Sequence, residues 1–432
     1  MYQVDPSERA VQPGLTSSRP LRIALLSYRS KPHCGGQGVY IRHLSRELTR
    51  LGHDVEVISG PPYPELDPGP RLTKLTSLDL FADGETVRIP RLNELRDPMN
   101  ALEFGVSMKG TFPEPLAFSV RAWRLLKSRA PADWPDIVHD NQTLGYGMLL
   151  MQRDGMNVAA TIHHPITVDL KLSLAAEERW RKRFGLRRFY SFLPMQKRVA
   201  RRIPSIMTVS DSSYRDLRTD FGVSDQQLTM VPLGVLHDVF TPPSSPRVPG
   251  RIVAAASADV PLKGVRHLLE SVAALRADRN VELVLIGRLQ PNGPTAAAIE
   301  QLGLADAVRF VSNVSEAELV ELMGSASVGV VPSLYEGFSL PAAELMSCAT
   351  PLVATRAGAL PEVVGPDGES VLLVPPGDSA ALTRAIARLL DDPKLAARLG
   401  QAARQRVLER FTWSRVASQT VDWYKQSLIS AQ

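Results

Sequence analysis

The sequence is poor in cysteine and has no long apolar segment. Its 432 residues include only Cys34 and Cys348, which excludes a disulfide scaffold and favours a reduced, cytoplasmic compartment. No apolar run approaches the ~20 residues that a membrane-spanning helix needs. Residues 1–20 are polar and lack the apolar core of a secretory signal, so we expect a disordered tail there.

Strong net charge is also lacking. The net charge of +5 is spread over a long chain and does not indicate nucleic-acid binding. Hydrophobic residues make up 44% and charged residues 22%, which is typical of globular proteins. The length is sufficient for two or three domains with large cores.

Short apolar runs alternate with amphipathic helical patterns along nearly the whole chain. This alternation predicts α/β domains, each a doubly wound parallel sheet covered by helices on both faces. The predicted strands of the first half lie at 21–28, 53–59, 136–140, 157–164 and 205–210. Those of the second half lie at 251–257, 281–287, 308–313, 328–333, 351–355 and 370–376.

A proline- and serine-rich stretch at 241–250 interrupts the alternation and predicts a linker. We therefore expect two Rossmann-like domains, at 21–240 and 251–411, followed by a C-terminal helix at 412–432. Ligands of such sheets bind at the carboxyl ends of the strands, so the cleft between the domains is the expected site.

A glycine-rich loop follows the first predicted strand. Gly35, Gly36 and Gly38 stand where this loop opens a helix, and glycines let backbone N–H groups approach a phosphate. A tight turn without a ligand is the alternative interpretation. The spacing differs from that of a dinucleotide-binding fingerprint, so a dehydrogenase is disfavoured.

Charged and polar side chains stand at other strand ends. Lys263 follows the first strand of the second domain and could neutralise a diphosphate, or it could be a solvated lysine in a turn. His163 and His164 end the strand at 157–164, where a histidine could donate a hydrogen bond or move a proton. A structural histidine is the alternative for both, and for His139.

The stretch "LYEGFSLPAAELMSC" at 334–348 carries two glutamates eight residues apart. Pro341 suits the first turn of a helix, so a helix is predicted to start near Leu340. Glu336 then precedes the helix N-terminus and Glu344 lies about one turn inside the helix. A ligand with hydroxyls at both ends and a diphosphate between them would match this arrangement.

Taken in order, these motifs resemble the GT-B retaining glycosyltransferases of family 4, over about residues 21 to 428. "EGFSLPAAE" at 336–344 resembles the Glu-x7-Glu motif of that family. The resemblance implies that Glu336 contacts the donor sugar, Glu344 contacts the nucleotide ribose and His163 contacts the transferred sugar. It implies a diphosphate site with further residues: Gly36, Gly38, Lys263, Gly337, Phe338, Ser339 and Leu340.

Two positions depart from the family pattern. Ala258 stands where family members commonly have an arginine that helps to bind the diphosphate, and Leu233 replaces a usual asparagine. Arg288, at another predicted strand end, could supply the missing charge. The resemblance implies transfer from a UDP- or GDP-sugar without a metal or other cofactor, and with the leaving phosphate taking the proton of the acceptor.

A basic segment at 178–202 holds ten Arg and Lys residues interleaved with aromatic residues. Such a segment can bind an anionic membrane surface, so we expect peripheral docking on the inner face of the membrane and a lipid or lipid-linked acceptor. A helix with a solvated basic face is the alternative, and a glycan or small-molecule acceptor stays open.

Three rival functions can be compared with glycosyl transfer. A nucleotide-sugar epimerase shares the fold and the donor, but the Glu-x7-Glu motif and the histidine at the strand end resemble the transferases. A non-catalytic sugar-binding protein would not need both glutamates, Lys263 and His163. A glycosidase is disfavoured because its two carboxylates must flank the scissile bond.

Overall fold

The computed structural model describes residues 19–30, 36–80 and 88–430. The predicted tail therefore lies outside the described residues up to position 18, as do Cys34 and Gly35. No helix in the described part of the chain is long and apolar enough to cross a membrane.

All strands of the described chain belong to two parallel sheets. Their bounds are β1 Arg22–Ser27, β2 Asp54–Ser59, β3 Arg71–Lys74, β4 Ile137–Asn141, β5 Val158–Ile162, β6 Ser205–Thr208, β7 Leu228–Met230, β8 Val248–Ala255, β9 Glu282–Ile286, β10 Val308–Val311, β11 Ala326–Val331, β12 Leu352–Thr355 and β13 Leu372–Val374.

Helices connect most consecutive strands, as parallel pairing requires. Their bounds are α1 Gly36–Arg50, α2 Pro98–Ser107, α3 Glu114–Lys127, α4 Tyr146–Arg153, α5 Thr167–Ala176, α6 Trp180–Phe189, α7 Leu193–Ala200, α8 Asp211–Asp216, α9 Val265–Leu275, α10 Pro294–Gln301, α11 Glu316–Gly324, α12 Leu340–Ser347, α13 Leu360–Val364, α14 Ser379–Asp391, α15 Pro393–Arg410 and α16 Trp413–Ser430.

The two sheets share one topology. The first has the order β3-β2-β1-β4-β5-β6-β7 and the second the order β10-β9-β8-β11-β12-β13. In each, the strand order reverses between the first strand of the sheet and the fourth, so β1 lies beside β4 and β8 lies beside β11. Ligands of doubly wound sheets bind at the carboxyl ends of the strands that flank this reversal.

The chain divides into two compact units. The first comprises the described residues up to Val209, together with Ser213–Val231 and the chain from Val416 onward. The second comprises Ser210–Ser212 and Pro232–Arg415. Each unit has its own apolar core, which includes Leu26 and Ile162 in the first and Leu285 and Val330 in the second.

The predicted helix and strand boundaries agree with the structure at the positions that matter for the site. Helix α1 begins at Gly36, and α12 begins at Leu340 with Pro341 in its first turn. Strand β8 begins at Val248, so the last residues of the predicted linker are in a strand. Helix α1 ends at Arg50, and Leu51, just beyond it, is 48% exposed.

Candidate functional site

In the second unit, Lys263 and Glu336 form an ion pair at the reversal of the strand order. Lys263 ends a single 3₁₀ turn, Pro261–Lys263, that follows β8, and Glu336 follows β11. The Lys263 Nζ atom lies 2.8 Å from the Glu336 Oε1 atom. The Ser333 hydroxyl also donates to this oxygen, at 2.7 Å. The carboxylate is therefore held by two donors from neighbouring strand ends.

Two glycines allow these strand ends to approach each other closely. Gly264 has a φ of +62°, and a β-carbon there would stand 2.1 Å from the Pro332 carbonyl oxygen. Gly358 has a φ of +54°, and a β-carbon there would stand 2.3 Å from the Glu336 carbonyl oxygen. The Ala359 N–H donates to that same oxygen, at 2.9 Å. The backbone around Glu336 is thus packed against the 357–359 loop without room for a side chain.

The N-terminus of α12 lies next to Glu336 in the chain and is built from unusual backbone. Ser339 precedes the helix with a φ of +83°, in the left-handed region that non-glycine residues rarely adopt. Its side chain is buried, and its hydroxyl has no hydrogen-bond partner among the described residues. No side chain of the described chain caps the first turn. The free N–H groups of this turn can therefore bind an anion.

Side-chain contacts hold both ends of α12. Phe338 is buried and meets the ring of Phe411 edge-on, with the ring centroids 5.5 Å apart. At the other end of α12, the Arg247 guanidinium donates to the carbonyl oxygens of Cys348 and Ala349, at 3.1 and 2.8 Å. A cation at a helix C-terminus complements the helix dipole. The short helix is thus held at both ends.

Glu344 projects from the first turns of α12 into poorly hydrated surroundings. Desolvation raises the pKa of Glu344 to about 7, and the charge of Glu316 adds to the effect. Its carboxyl makes no hydrogen bond or ion pair with any residue that the structure describes. A ligand hydroxyl could supply the missing donor, because a carboxylate accepts several hydrogen bonds.

Arg288 stands one strand away from Lys263. It follows β9, which pairs with β8 up to Ala255 opposite Ile286. Its side chain is exposed and has no ion-pair partner within the described ranges. Arg288 is thus a cation at the same edge of the sheet as Lys263. It could compensate for the positive charge that Ala258 does not provide.

In the first unit, the predicted residues lie at the reversal of the strand order or one strand away from it. Gly36 and Gly38 are in the first turn of α1, which follows β1, and His163 follows β5. The Asn141 amide, at the end of β4, connects these elements. Its oxygen lies 2.8 Å from the His163 Nε2 atom, and its nitrogen donates to the Gln37 carbonyl oxygen at 3.4 Å.

His163 is neutral in this environment. Desolvation, followed by the nearby charge of His164, lowers the pKa of His163 to about 3. The hydrogen bond to the Asn141 oxygen places the proton on Nε2, which leaves Nδ1 as an acceptor. The Gln142 side chain accepts a hydrogen bond from the backbone N–H of His163 at 2.7 Å. It also donates one to the backbone carbonyl oxygen of His164 at 2.7 Å.

The other histidines of the sequence prediction have different surroundings. His164 pairs with Asp169, at 2.9 Å. His139 is buried, and both of its ring nitrogens are 2.6 Å from hydroxyls, those of Tyr424 and Thr161. His139 therefore acts as a structural residue that joins α16 to the first sheet.

Sequence reasoning missed four residues of these sites: Ser333, Gly358, Asn141 and Gln142. A polar residue at the end of a buried strand was a usable signal for Asn141 and Ser333. For Gly358, the signal was a glycine between a strand and the Leu-Pro pair that opens α13. Among the described residues, no group of three or more His, Cys, Asp or Glu side chains is placed to hold a metal ion.

Two doubly wound parallel sheets, with a Lys–Glu pair and an uncapped helix N-terminus at the strand ends of the second, are the architecture of a GT-B glycosyltransferase. The family models agree with this class. The chain matches Glycosyltransferase Family 4 over residues 34–239 and Glycosyl transferases group 1 over residues 243–406. The chain belongs to the group 1/family 4 glycosyltransferases.

Similar proteins support the same assignment. The chain is 55% identical to an MMP alpha-(1->4)-mannosyltransferase of Mycolicibacterium hassiacum, over 94% of this chain and 98% of that protein. The sucrose-phosphate synthase structure from Thermosynechococcus elongatus matches with a TM-score of 0.73 and 26% identity, over 95% and 99% of the two chains. Anabaena Alr3699/HepE, solved with UDP-glucose, shares the fold with a TM-score of 0.64 and 16% identity, over 95% and 100%.

Proposed function

We propose that the protein is a retaining α-(1→4)-mannosyltransferase that uses a nucleotide-mannose donor. The observation that carries the proposal is the Lys263–Glu336 pair beside the uncapped N-terminus of α12. The 55% identical mannosyltransferase supports the sugar and the linkage. The Alr3699/HepE complex with UDP-glucose supports a nucleotide-sugar as the donor of this fold.

In this proposal the donor diphosphate lies against the N–H groups of Gly337, Phe338, Ser339 and Leu340. Lys263 supplies one positive charge. Arg288 supplies a second, which compensates for Ala258 at the position where other family members commonly have an arginine. In the first unit, Gly36 and Gly38 are proposed to let a phosphate group approach the N-terminus of α1. Fixed donors and dipoles of this kind stabilise the charge that develops on a leaving diphosphate.

The two glutamates and His163 bind the sugars. Glu336 accepts hydrogen bonds from hydroxyls of the transferred sugar, and Glu344 accepts them from the ribose. His163 accepts a sugar hydroxyl at Nδ1, because Asn141 holds the proton on Nε2. Front-face transfer then needs no protein base, since the leaving phosphate takes the proton of the acceptor hydroxyl.

The transfer is proposed to need no metal ion, because Lys263, Arg288 and the α12 N-terminus supply positive potential. Transfer should therefore persist after dialysis against EDTA. Activity that disappears with EDTA and returns with Mg²⁺ or Mn²⁺ would contradict this part of the proposal.

The first acceptor candidate is the one in the name of the Mycolicibacterium relative, MMP. The test is a thermal-shift screen with GDP-, UDP- and ADP-mannose, followed by nucleotide release with and without that acceptor. A ligand that binds only the folded state raises its apparent stability, and a tighter ligand raises it more at equal concentration. Release that requires the acceptor supports transfer, whereas conversion of the donor alone would indicate an epimerase.

A lipid-linked acceptor at an anionic membrane face is the second candidate. Trp180 and Phe184 on α6 favour it, because their side chains are 72% and 56% exposed beside Arg181 and Arg188. Exposed aromatic and basic side chains settle into anionic interfaces. The protein should sediment with phosphatidylglycerol vesicles and release with salt, and Trp180→Ala/Phe184→Ala should lose this binding. No sedimentation at low salt would remove the candidate.

A further inference from the structure

The first unit contains a large cavity that the proposed function does not use. It has a volume of about 930 Å³ and lies between α5 and α7. None of the residues that line it is a candidate site residue. No carboxylate among the described residues lines it. We call it the basic groove after the five cationic side chains that do line it: Arg187, Lys197, Arg198, Arg201 and Arg202.

The cations of the basic groove have no carboxylate at ion-pair distance within the described chain. The Arg201 guanidinium donates to the Phe221 carbonyl oxygen at 2.6 Å, and Arg202 donates to the Arg198 carbonyl oxygen at 3.2 Å. The Lys197 ammonium lies over the Phe221 ring, 5.9 Å from its centroid.

The carboxylate of Asp220 lies beside the groove: its partner Thr167 lines the cavity, and the Lys197 charge acts on it from a distance. It accepts from the Lys171 ammonium at 2.8 Å and from the Thr167 hydroxyl at 2.7 Å. Five like charges around one cavity repel one another, and the repulsion decreases when an anion enters. The electrostatics of the groove therefore favour a ligand of negative charge.

The rest of the basic segment is arranged differently. On α6 and just before it, Arg179 pairs with Glu177 at 2.8 Å, and Arg181 stacks on the Trp180 ring. The exposed aromatics Trp180 and Phe184 do not line the groove. The segment thus has two parts: exposed aromatic side chains on α6, and the basic groove, whose cations form no ion pair within the described chain.

We propose that the basic groove is a binding site for a soluble ligand that carries several phosphate-type groups. Four of its five cations are arginines, whose planar guanidinium groups bind phosphate oxygens in a bidentate manner. Ser191 and Tyr190 add hydroxyls to the lining. A cavity of about 930 Å³ is larger than one phosphate needs, so the ligand has several anionic groups.

The test is isothermal titration of the full-length protein with inorganic tripolyphosphate at low salt. The groove variant Arg198→Gln/Arg202→Gln should bind it about tenfold more weakly, since charge-assisted hydrogen bonds are lost. The matched control Arg181→Gln/Lys182→Gln removes the same charge from the same segment and should bind like the wild type. Lys263→Ala should still bind tripolyphosphate in the groove. This variant therefore distinguishes groove binding from binding at the proposed donor site.

Thermal unfolding is a second measurement, and it distinguishes a ligand-binding role of the groove arginines from a purely structural one. Without ligand at low salt, the groove variant should be as stable as the wild type or more so, because repulsion is relieved. Tripolyphosphate should raise the melting temperature of the wild type and of the control, but not that of the groove variant. These results do not depend on glycosyl transfer.

Three outcomes would overturn the proposal: no binding of tripolyphosphate at low salt, equal binding by the groove variant, or a groove variant that has lost stability. Binding of phosphatidylglycerol vesicles that Arg198→Gln/Arg202→Gln abolishes, without tripolyphosphate binding, would assign the groove to a membrane surface instead.

Discussion

The Lys263 ammonium and the Glu336 carboxylate, 2.8 Å apart, offset each other's charge at adjacent strand ends. Truncation of either side chain leaves the other without its opposite charge at a partly buried position. The Lys263 side chain is 31% exposed and that of Glu336 is 11% exposed, so the lysine is the one that reaches toward solvent.

Lys263→Ala and Glu336→Gln should each lower kcat/KM by roughly 10²–10³-fold, the usual effect of removing one hydrogen-bonding group that stabilises the transition state. Because the two side chains touch, the double variant should lose less than the product of the single losses. Steady-state transfer rates check this. Lys394→Ala, an exposed lysine on α15, is the control and should keep full activity. Full activity of Lys263→Ala would refute the assignment of the site.

Gly358→Ala should lower transfer activity and melting temperature together. A β-carbon at this position would stand 2.3 Å from the Glu336 carbonyl oxygen, so the Glu336 loop must shift. Gly368→Ala is the matched control, because Gly368 also has a positive φ, +79°, but no atom of the described residues lies within 4 Å of its β-carbon position. That variant should lose about 1 kcal/mol through backbone strain and keep its activity. Equal kcat/KM losses in both variants would show that the contact with Glu336 is irrelevant.

Nucleotide binding should release a proton from Glu344 near neutral pH. Desolvation raises its pKa to about 7, so the carboxyl is partly protonated there. Ribose hydroxyls that donate to the carboxylate favour the ionised form and lower this pKa in the complex. Affinity should therefore rise as the pH increases through 7.

Calorimetric titration in buffers of different ionisation enthalpy measures the release directly. The wild type should give buffer-dependent binding enthalpies at pH 7, and Glu344→Gln should give the same enthalpy in every buffer. Buffer-independent enthalpies in the wild type would place the ribose away from Glu344.

His163 should add no ionisation to the pH profile of transfer between pH 5 and 8, because its pKa is lowered to about 3. Asn141→Asp would place a carboxylate next to Nε2 and raise this pKa, because an opposite charge favours the imidazolium. The variant should become less active below the new pKa, where Nδ1 no longer accepts a hydrogen bond. Asn141→Ser removes the amide without adding a charge. The transfer activity of this variant should stay independent of pH between pH 5 and 8. Imidazole NMR titration locates the pKa.

Local sequence signals predicted the strand ends and the start of α12. Pro341 and the apolar run before Glu336 act within a few residues, so no tertiary information is needed to read them. The Asn141–His163 contact depends instead on the register of β4 against β5, which pairs Asn141 with Thr161. The contact between Gly358 and Glu336 likewise joins loops that follow two different strands. Such contacts follow from how strands pair, which a local pattern does not specify.

The buried hydrogen bond between Tyr424 and His139 also bears on how the protein is made. The first unit needs α16, yet the ribosome adds this helix after the whole second unit has been synthesised. Until then, His139 lacks the hydroxyl next to Nδ1, and the surface that covers Trp423 is open to water. The N-terminal unit is therefore expected to complete its folding after the C-terminal unit, the reverse of the usual order during synthesis.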